Sequence, residues 1–180
     1  MKKDTTAMHI IRLTVTLLLI CAAVAAVLAG VNAITKDKIA AIQLQKTQNA
    51  IAEVLPGVAG VEQISVSGDT GIVKTVYVSG ENYAVEVTPA GFDGEVTMMV
   101  GIMDGKVSGI SVISHTETPG LGAVAAADNA KGQAFRGQFV GLSGELVIGE
   151  QVDAMSGATI TSTAVVTGVN AALSCVANLG

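Results

Sequence analysis

The sequence predicts an α+β protein in which a single N-terminal transmembrane helix is followed by a twisted antiparallel sheet packed with helices. Three observations support this prediction. An uncharged apolar run lies near the N-terminus, four short β-branched or alternating runs follow one another in the middle, and an Ala- and Val-rich run closes the chain. Half of the 180 residues are hydrophobic and 14% are charged, which is too apolar for a disordered chain.

The membrane helix is predicted over residues 13–31, a run without a charged residue. At about 1.5 Å per residue this helix is roughly 28 Å long, close to the hydrocarbon thickness of a bilayer. A cleaved signal peptide is the alternative, because the run is rich in Ala, but its length favours a retained anchor. Cys21 is not preceded by the small residues of a lipoprotein signal. Residues 1–32 are therefore assigned to the N-terminus and anchor of a single-pass protein of the cell membrane.

The charges do not fix the orientation of this helix, because three basic residues precede it and the next three follow it by position 46. A short N-terminus is easily retained in the cytoplasm, so we expect the rest of the chain to be extracytoplasmic. Residues 33–57 form the next segment, in which a helix over about 35–55 ends at Pro56-Gly57 and serves as a stalk or linker. Residues 58–180 then form the extracytoplasmic domain.

The strands of this domain are predicted over residues 72–78, 83–88, 95–102 and 106–114. The last two are joined by Met103-Asp104-Gly105, and Asp-Gly between apolar runs is a strong hairpin signal because Gly adopts a positive φ at low cost. The remaining predicted elements are a short helix over 123–130, a strand over 145–148 and a closing helix over 161–179.

Charge and cysteine content exclude several kinds of site. Beyond the anchor, 7 basic residues (10 minus 3) face 14 acidic residues (15 minus 1), and this net charge of −7 argues against nucleic acid or anionic lipid as a partner. The two cysteines are Cys21, inside the membrane run, and Cys175, so we expect neither a disulfide nor a cysteine-ligated zinc or iron–sulfur site. No metal site is predicted.

A hydroxyl-rich segment, DAMSGATITSTAV, occupies residues 153–165. Five of the eight residues 156–163 carry a hydroxyl, whereas the whole segment contains no His, Cys, Lys or Arg that could activate them. Gly157 and Ala158 allow close approach to the backbone, and N-cap residue types stand where the helical pattern begins: Thr159, Thr161 and Ser162. Free N–H groups of a first helical turn favour phosphate binding. The alternative is helix capping, for which one hydroxyl would suffice.

A second segment, SHTETPGLG, occupies residues 114–122. Gly on both sides of Leu121 leaves bare backbone that could lie against a planar ligand. His115 and Glu117 form the adjacent titratable pair of this region; an ordinary loop histidine is favoured over acid–base catalysis for His115. Glu117 is expected to bond either a ring N–H of the ligand or the backbone of its own turn.

These two motifs, ETPGLG at 117–122 and DAMSGATITS at 153–162, resemble the FMN-binding domain of respiratory flavoproteins, whose SGAT threonine carries FMN through a phosphoester. Together with the N-terminal helix and Gly91-Phe92-Asp93-Gly94, they are most similar to the G subunits of Rnf ion-translocating electron-transport complexes. The resemblance is strongest over residues 91–172 and implies that Thr159 is the covalent FMN attachment residue. It further implies these cofactor-binding residues: Ser156, Gly157, Ala158, Thr161, Ser162, Glu117, Thr118, Gly120, Leu121 and Gly122.

The resemblance also implies a maturation partner and a function. A metal-dependent flavin transferase would use FAD as donor, and Asp153 would help it recognise the segment, although a capping or turn Asp remains the alternative. The chain would be a redox subunit that relays electrons beside the other subunits of the complex. With 3% aromatic residues, no aromatic sandwich around the ring is expected. Leu121, Met98 and Met99 are candidates for packing the ring, although sheet core is the favoured interpretation for both methionines.

Three other functions stay open from the sequence. The same motifs occur in the C subunit of the sodium-pumping NADH:quinone reductase and suit a stand-alone extracytoplasmic flavin-binding reductase domain. A non-redox membrane-anchored binding module, in which the hydroxyls only cap a helix, is the alternative of a different class.

Overall fold

The computed structural model describes residues 3–58, 60–64 and 71–179. The chain divides into two compact units, residues 1–45 and residues 46–180. Helix α1, Lys3–Val54, contributes to both, and its end just before Pro56-Gly57 confirms the predicted helix stop.

The first unit carries the apolar run that the sequence assigned to a membrane. Its large side chains are exposed along the helix, with Leu13 at 70% and Leu28 at 64%. The hydroxyls of Thr14 and Thr16 donate to carbonyls four residues earlier, at 2.9 and 2.8 Å, so that they need no outside partner. The helix is long and apolar enough to cross a bilayer, and apolar side chains without protein contacts are what a lipid-facing helix presents.

The second unit contains a five-stranded antiparallel sheet in the order β1-β2-β3-β4-β5. Its strands are β1 Glu62–Ile64, β2 Val73–Ser79, β3 Asn82–Val87, β4 Thr97–Met103 and β5 Lys106–Ser114. The last four lie within two residues of the predicted strands, and the α+β prediction is confirmed. The hairpin prediction is also confirmed, since Asp104 and Gly105 take φ values of 52° and 70°, as a type I′ turn requires.

The sheet buries a different cluster on each face. Met98, Val100 and Ile102 alternate along β4 toward one face, where they pack against helix α3, Thr159–Ala177. Met99 points to the other face, where it joins the final turns of α1, buried through Ala50, Ile51 and Val54, and the following residue Leu55. Residues 46–54 of α1 are therefore part of the folded domain's core.

Close approach of this helix end to the sheet depends on a glycine. A Cβ at Gly101 would lie within 3.0 Å of both the carbonyl oxygen and the Cβ of Val54. The Ser108 hydroxyl donates to the same carbonyl, and the Ser111 hydroxyl donates to the Glu53 carboxylate at 2.6 Å. The Ser108 bond satisfies a helix-terminal carbonyl that has no partner within the helix, and the Ser111 bond ties the Glu53 side chain to β5.

The helix predicted over residues 123–130 is wrong. A 3₁₀ helix, Gly122–Ala126, is followed by helix α2, Ala130–Gly137. Asn129 separates them, because its side-chain oxygen accepts from the N–H groups of Lys131 and Gly132 at 3.0 Å each and caps the second helix.

The strand predicted over residues 145–148 is also wrong, because this segment forms only an isolated bridge between Ile148 and Val152. The backbone of Leu146 pairs instead with the Asn170 side chain of α3, donating to Oδ1 and accepting from Nδ2 at 2.9 Å each. A side-chain amide thus replaces a neighbouring strand. The closing helix was predicted correctly but begins at Thr159, two residues early.

Candidate functional site

The hydroxyl-rich segment forms the entry to helix α3. Its N-cap is Ala158, with φ −133°, and no side chain caps the helix. The capping interpretation of Thr159, Thr161 and Ser162 is therefore wrong. The N–H groups of residues 159–161 have no carbonyl partner within the helix, because each would need an acceptor four residues earlier in helical conformation. The first turn thus offers three donors and the positive end of the helix dipole.

Two of the five hydroxyls are buried and hydrogen-bonded to other parts of the protein. Thr161 is 1% exposed and donates to Oε2 of Glu117 at 2.6 Å. Ser162 is fully buried, accepts the Met155 N–H at 2.9 Å and donates to the Ala158 carbonyl at 2.9 Å. The Ser162 hydroxyl therefore folds the preceding turn back onto the helix, and neither side chain has a free donor for a ligand.

The other three hydroxyls are exposed. Thr163 donates to the carbonyl of Thr159 at 2.9 Å, one turn earlier. The hydroxyls of Ser156 and Thr159 have no protein partner in the described residues. Thr159 is the first residue of α3, so its hydroxyl lies beside the free N–H groups of the first turn.

Glu117 joins three parts of the chain. Its carboxylate is 5% exposed, and Oε1 accepts the N–H of Phe92 at 2.7 Å and, at 3.4 Å, that of Asp93. Oε2 accepts the Thr161 hydroxyl. One expectation from the sequence is that this carboxylate accepts from the backbone of its own turn. It accepts instead from the backbone of the loop around Phe92, 25 residues earlier. A buried carboxylate that accepts three hydrogen bonds compensates for much of its desolvation.

Two glycines make room for this carboxylate. A Cβ at Gly91 would collide with Oε1 of Glu117, and a Cβ at Gly122 would collide with Oε2. The second Cβ would also lie 2.5 Å from the Thr161 hydroxyl oxygen. Real Cβ atoms essentially never approach another atom within 3.0 Å, so a side chain at either position would displace the buried carboxylate.

The loop at residues 117–122 is a compact turn against the hydroxyl-rich segment. The Thr118 carbonyl accepts the N–H groups of Leu121 and Ala123 at 3.2 Å each, and Gly120 takes a φ of 79°. Leu121 stays 45% exposed and touches the other segment, because a Cβ at Gly157 would lie 3.2 Å from its Cδ2. Gly157 itself has a φ of 75°, which also favours glycine.

The two motifs together line a cleft of about 330 Å³. Eight of the residues predicted from the sequence line it: Glu117, Thr118, Leu121, Gly122, Gly157, Ala158, Thr159 and Thr161. Leu121 also lines a second cleft of about 640 Å³, where Gly120, Asp153 and Ser156 are found. Ser162 lies on neither, since its side chain is fully buried.

Sequence reasoning missed two apolar side chains of the first cleft. Phe92 is 66% exposed and Ile160 is 55% exposed. A phenylalanine between glycines in a turn, outside any strand pattern, was the available signal for the first. Met98 and Met99 are fully buried in the sheet core, so the favoured core interpretation is confirmed and neither side chain is available to pack the ring.

Asp153 is held through its backbone and not through its side chain. Its N–H donates to Oε1 of Gln138 at 2.8 Å, and Nε2 of Gln138 donates weakly to its carbonyl at 3.4 Å. The exposed carboxylate makes no hydrogen bond within the described residues, so it neither caps a helix nor closes a turn there. Gln138 thus fixes the start of the hydroxyl-rich segment and leaves the charge of Asp153 available.

The shifted titratable groups lie outside both clefts. Burial raises the pKa of Glu86, and burial together with the Glu86 charge raises the pKa of Tyr77. Burial also raises the pKa of the Cys175 thiol, which lies on α3 and packs in the hydrophobic core of the domain. His115 is half-buried, and its Nδ1 is buried without a hydrogen-bond partner in the described part of the chain. Acid–base chemistry at His115 receives no support from its contacts.

Comparisons with known proteins agree along the whole chain. The family model of the FMN-binding domain matches residues 91–174, and that of the RnfG N-terminal region matches residues 1–54. The G subunit of the ion-translocating oxidoreductase complex of Methanosarcina acetivorans is 33% identical over 92% of this chain and 93% of its own length. The G subunit of the Na(+)-translocating ferredoxin:NAD(+) oxidoreductase complex of Acetobacterium woodii is 33% identical over 94% of this chain and 93% of its own. The chain therefore belongs to the family of G subunits of Rnf-type ion-translocating oxidoreductase complexes.

Proposed function

We propose that this chain is the membrane-anchored electron-transfer subunit of an Rnf-type ferredoxin:NAD⁺ oxidoreductase complex, with FMN joined to Thr159 through a phosphoester. Its family and its FMN-binding domain support the cofactor and the complex. The observation that carries the attachment is the Thr159 hydroxyl. It is exposed, has no partner in the described residues, and lines a cleft at the first turn of α3.

The surroundings of Thr159 fit a phosphate. The free N–H groups of residues 159–161 and the positive helix end favour an anion at this point. Gly157 and Ala158 place no bulky side chain beside it. Glu117 is the acidic residue of the cleft wall, and its carboxylate is buried and occupied by three donors.

The rest of the same cleft fits an apolar planar ring. Phe92, Leu121 and Ile160 line it and are the partly exposed large hydrophobic residues around Thr159. FMN, when bound, supplies exchange of one or two electrons, and the protein supplies its position and surroundings. A covalent link would keep the cofactor on an exported domain from being lost.

In this proposal the base for attachment belongs to a separate flavin transferase, in keeping with the lack of His, Cys, Lys and Arg in residues 153–165. Thr159 Oγ1 forms a bond to the phosphorus of FAD that belongs to its FMN half. The bond from that phosphorus to the bridging oxygen breaks, AMP leaves, and the hydroxyl proton passes to a base of the flavin transferase. The free carboxylate of Asp153 would help the transferase or its metal recognise the segment.

The proposed arrangement keeps the domain bounds of the sequence. Residues 1–32 form the cytoplasmic N-terminus and anchor, and residues 33–57 form the stalk, whose last turns from residue 46 onward pack into the domain core. Residues 58–180 form the rest of the extracytoplasmic domain that holds the flavin. The other subunits of the complex would donate and accept its electrons. Co-purification with them separates this role from that of a stand-alone flavin reductase domain.

The attachment is tested by measuring intact mass and in-gel fluorescence after co-expression with a flavin transferase. Thr159→Ala should lose both the FMN mass increment and the fluorescent band. Thr163→Ala is the matched control, since its exposed hydroxyl lies on the same helix and bonds only the Thr159 carbonyl, and it should stay flavinylated. A fluorescent Thr159→Ala band would place the flavin elsewhere, whereas bare wild-type protein would favour a non-redox binding module.

A further inference from the structure

We propose that Phe92 contacts the flavin ring and that Glu117 is the positioning residue that holds Phe92 at the cleft. This inference rests on the proposed attachment of FMN to Thr159. It assigns a ring-contacting aromatic side chain in a chain whose aromatic content is only 3%.

Phe92 differs from every other aromatic residue of the chain. All five lie within the described residues: Phe135 and Phe139 are buried in an edge-to-face pair 5.5 Å apart, and Tyr77 and Tyr83 are half-buried in the sheet. Phe92 alone is exposed, at 66%, and it lines the cleft that contains Thr159. An exposed aromatic ring on the wall of this cleft is free to contact a planar ligand through its face or edge.

The loop that carries Phe92 is fixed rather than free. The Gly91 N–H donates to the Gly94 carbonyl at 2.7 Å and closes a tight turn. The Thr116 hydroxyl donates to the Asp93 carbonyl at 2.5 Å, which ties the turn to the segment after β5. The Phe92 N–H donates to Glu117 at 2.7 Å. Because the backbone of this turn is already held, Phe92 loses only side-chain conformational entropy when its ring contacts a ligand.

Glu117 couples this turn to the attachment point. Its two oxygens accept from Phe92 on one side and from Thr161 on the other, and Thr161 lies two residues after Thr159. The same carboxylate therefore sets the distance between the exposed ring and the first turn of α3. Glutamine can replace it, because the amide oxygen still accepts the Phe92 N–H and the Thr161 hydroxyl can turn to accept from the amide. Alanine leaves all these donors unpaired.

The test uses tryptophan as a contact probe, since the natural sequence has none. Indole transfers an electron to an excited flavin in van der Waals contact and so quenches its emission. The full-length flavinylated Phe92→Trp variant in detergent should lose flavin fluorescence severalfold relative to wild type. Val140→Trp is the control, because Val140 is 54% exposed and lies in a different depression, and its emission should match wild type.

The positioning role is tested in the Phe92→Trp background. Adding Glu117→Gln should keep the quenching, whereas adding Glu117→Ala should restore emission because the turn is released. Equal quenching in both double variants would overturn the role of Glu117. Emission of Phe92→Trp equal to that of Val140→Trp would overturn the contact itself.

These outcomes are separable from failure of the proposed function, because each variant is first weighed by intact mass. A wild-type chain without the FMN increment contradicts the attachment. Fully flavinylated protein in which Phe92→Trp is not quenched contradicts only the ring contact.

Discussion

Replacing Gly122 by alanine tests the packing around Glu117 directly. The new Cβ would overlap Oε2 of Glu117 and lie 2.5 Å from the Thr161 hydroxyl oxygen, and both residues are almost fully buried. Overpacking of this kind costs about 1–3 kcal/mol. Weakening a hydrogen bond to a charged group adds about 1.5–3 kcal/mol. The structure therefore predicts that the free energy of unfolding falls by about 2.5–6 kcal/mol, a large part of the roughly 5–15 kcal/mol of an ordinary domain.

Calorimetry of the full-length chain in detergent measures this effect. At about 4 °C per kcal/mol for a domain of this size, the melting temperature of Gly122→Ala should fall by roughly 10–24 °C. Gly137→Ala is the matched control, because its φ is not positive and nothing lies within 4 Å of the added Cβ. It should melt with the wild type. If the two variants melt together, the buried carboxylate does not fill the space that the structure assigns to it.

Other contacts lead to three further predictions. Asn170→Ala removes both bonds to the Leu146 backbone and should lower the free energy of unfolding by about 2–3 kcal/mol in denaturant titration, whereas an unchanged midpoint would contradict the pairing. Burial raises the pKa of Glu86 above its ordinary 4.5, so the folded state binds the carboxyl proton more tightly than the unfolded state does. The free energy of unfolding therefore falls as pH rises from the unfolded-state pKa through the higher folded-state pKa. Glu86→Gln should lack this fall, and its stability relative to wild type should grow from below pH 4.5 to neutral pH. Gln138→Ala releases the backbone of Asp153 and should slow flavin incorporation in time courses at limiting transferase, with no loss of the final FMN mass increment.

The parts of the fold that depend on local sequence were predictable. Asp104-Gly105 between alternating runs indicated the hairpin, because the turn needs two positive φ values that these residues tolerate. The stop after Val54 followed from Pro56-Gly57. Contacts distant in sequence were not predictable. The segment at 145–148 has strand composition, but its polar backbone is satisfied by the Asn170 side chain, which no periodicity reveals.

In the candidate site too, features set by local sequence could be predicted and contacts distant in sequence could not. The motifs identified which stretches meet, and the structure brings 117–122 and 157–161 onto one cleft. Composition could not tell which hydroxyls are free, because this depends on partners such as Glu117 and Met155. Phe92 was missed for the same reason, since its backbone is held at the cleft by a bond to a carboxylate 25 residues later.

The hydroxyl-rich segment has to meet two opposing demands, and its residues divide between them. An attachment residue must be exposed while a transferase reaches it, yet exposed loop residues are mobile and would leave a bound cofactor poorly placed. The buried side chains of Ser162 and Thr161 meet the second demand. Ser162 bonds the preceding turn and Thr161 bonds Glu117, so buried hydrogen bonds fix the backbone around Thr159. The Thr159 hydroxyl itself stays exposed to solvent. In the proposed attachment of FMN to Thr159, the hydroxyls of Thr161 and Ser162 would therefore determine how rigidly the cofactor is held.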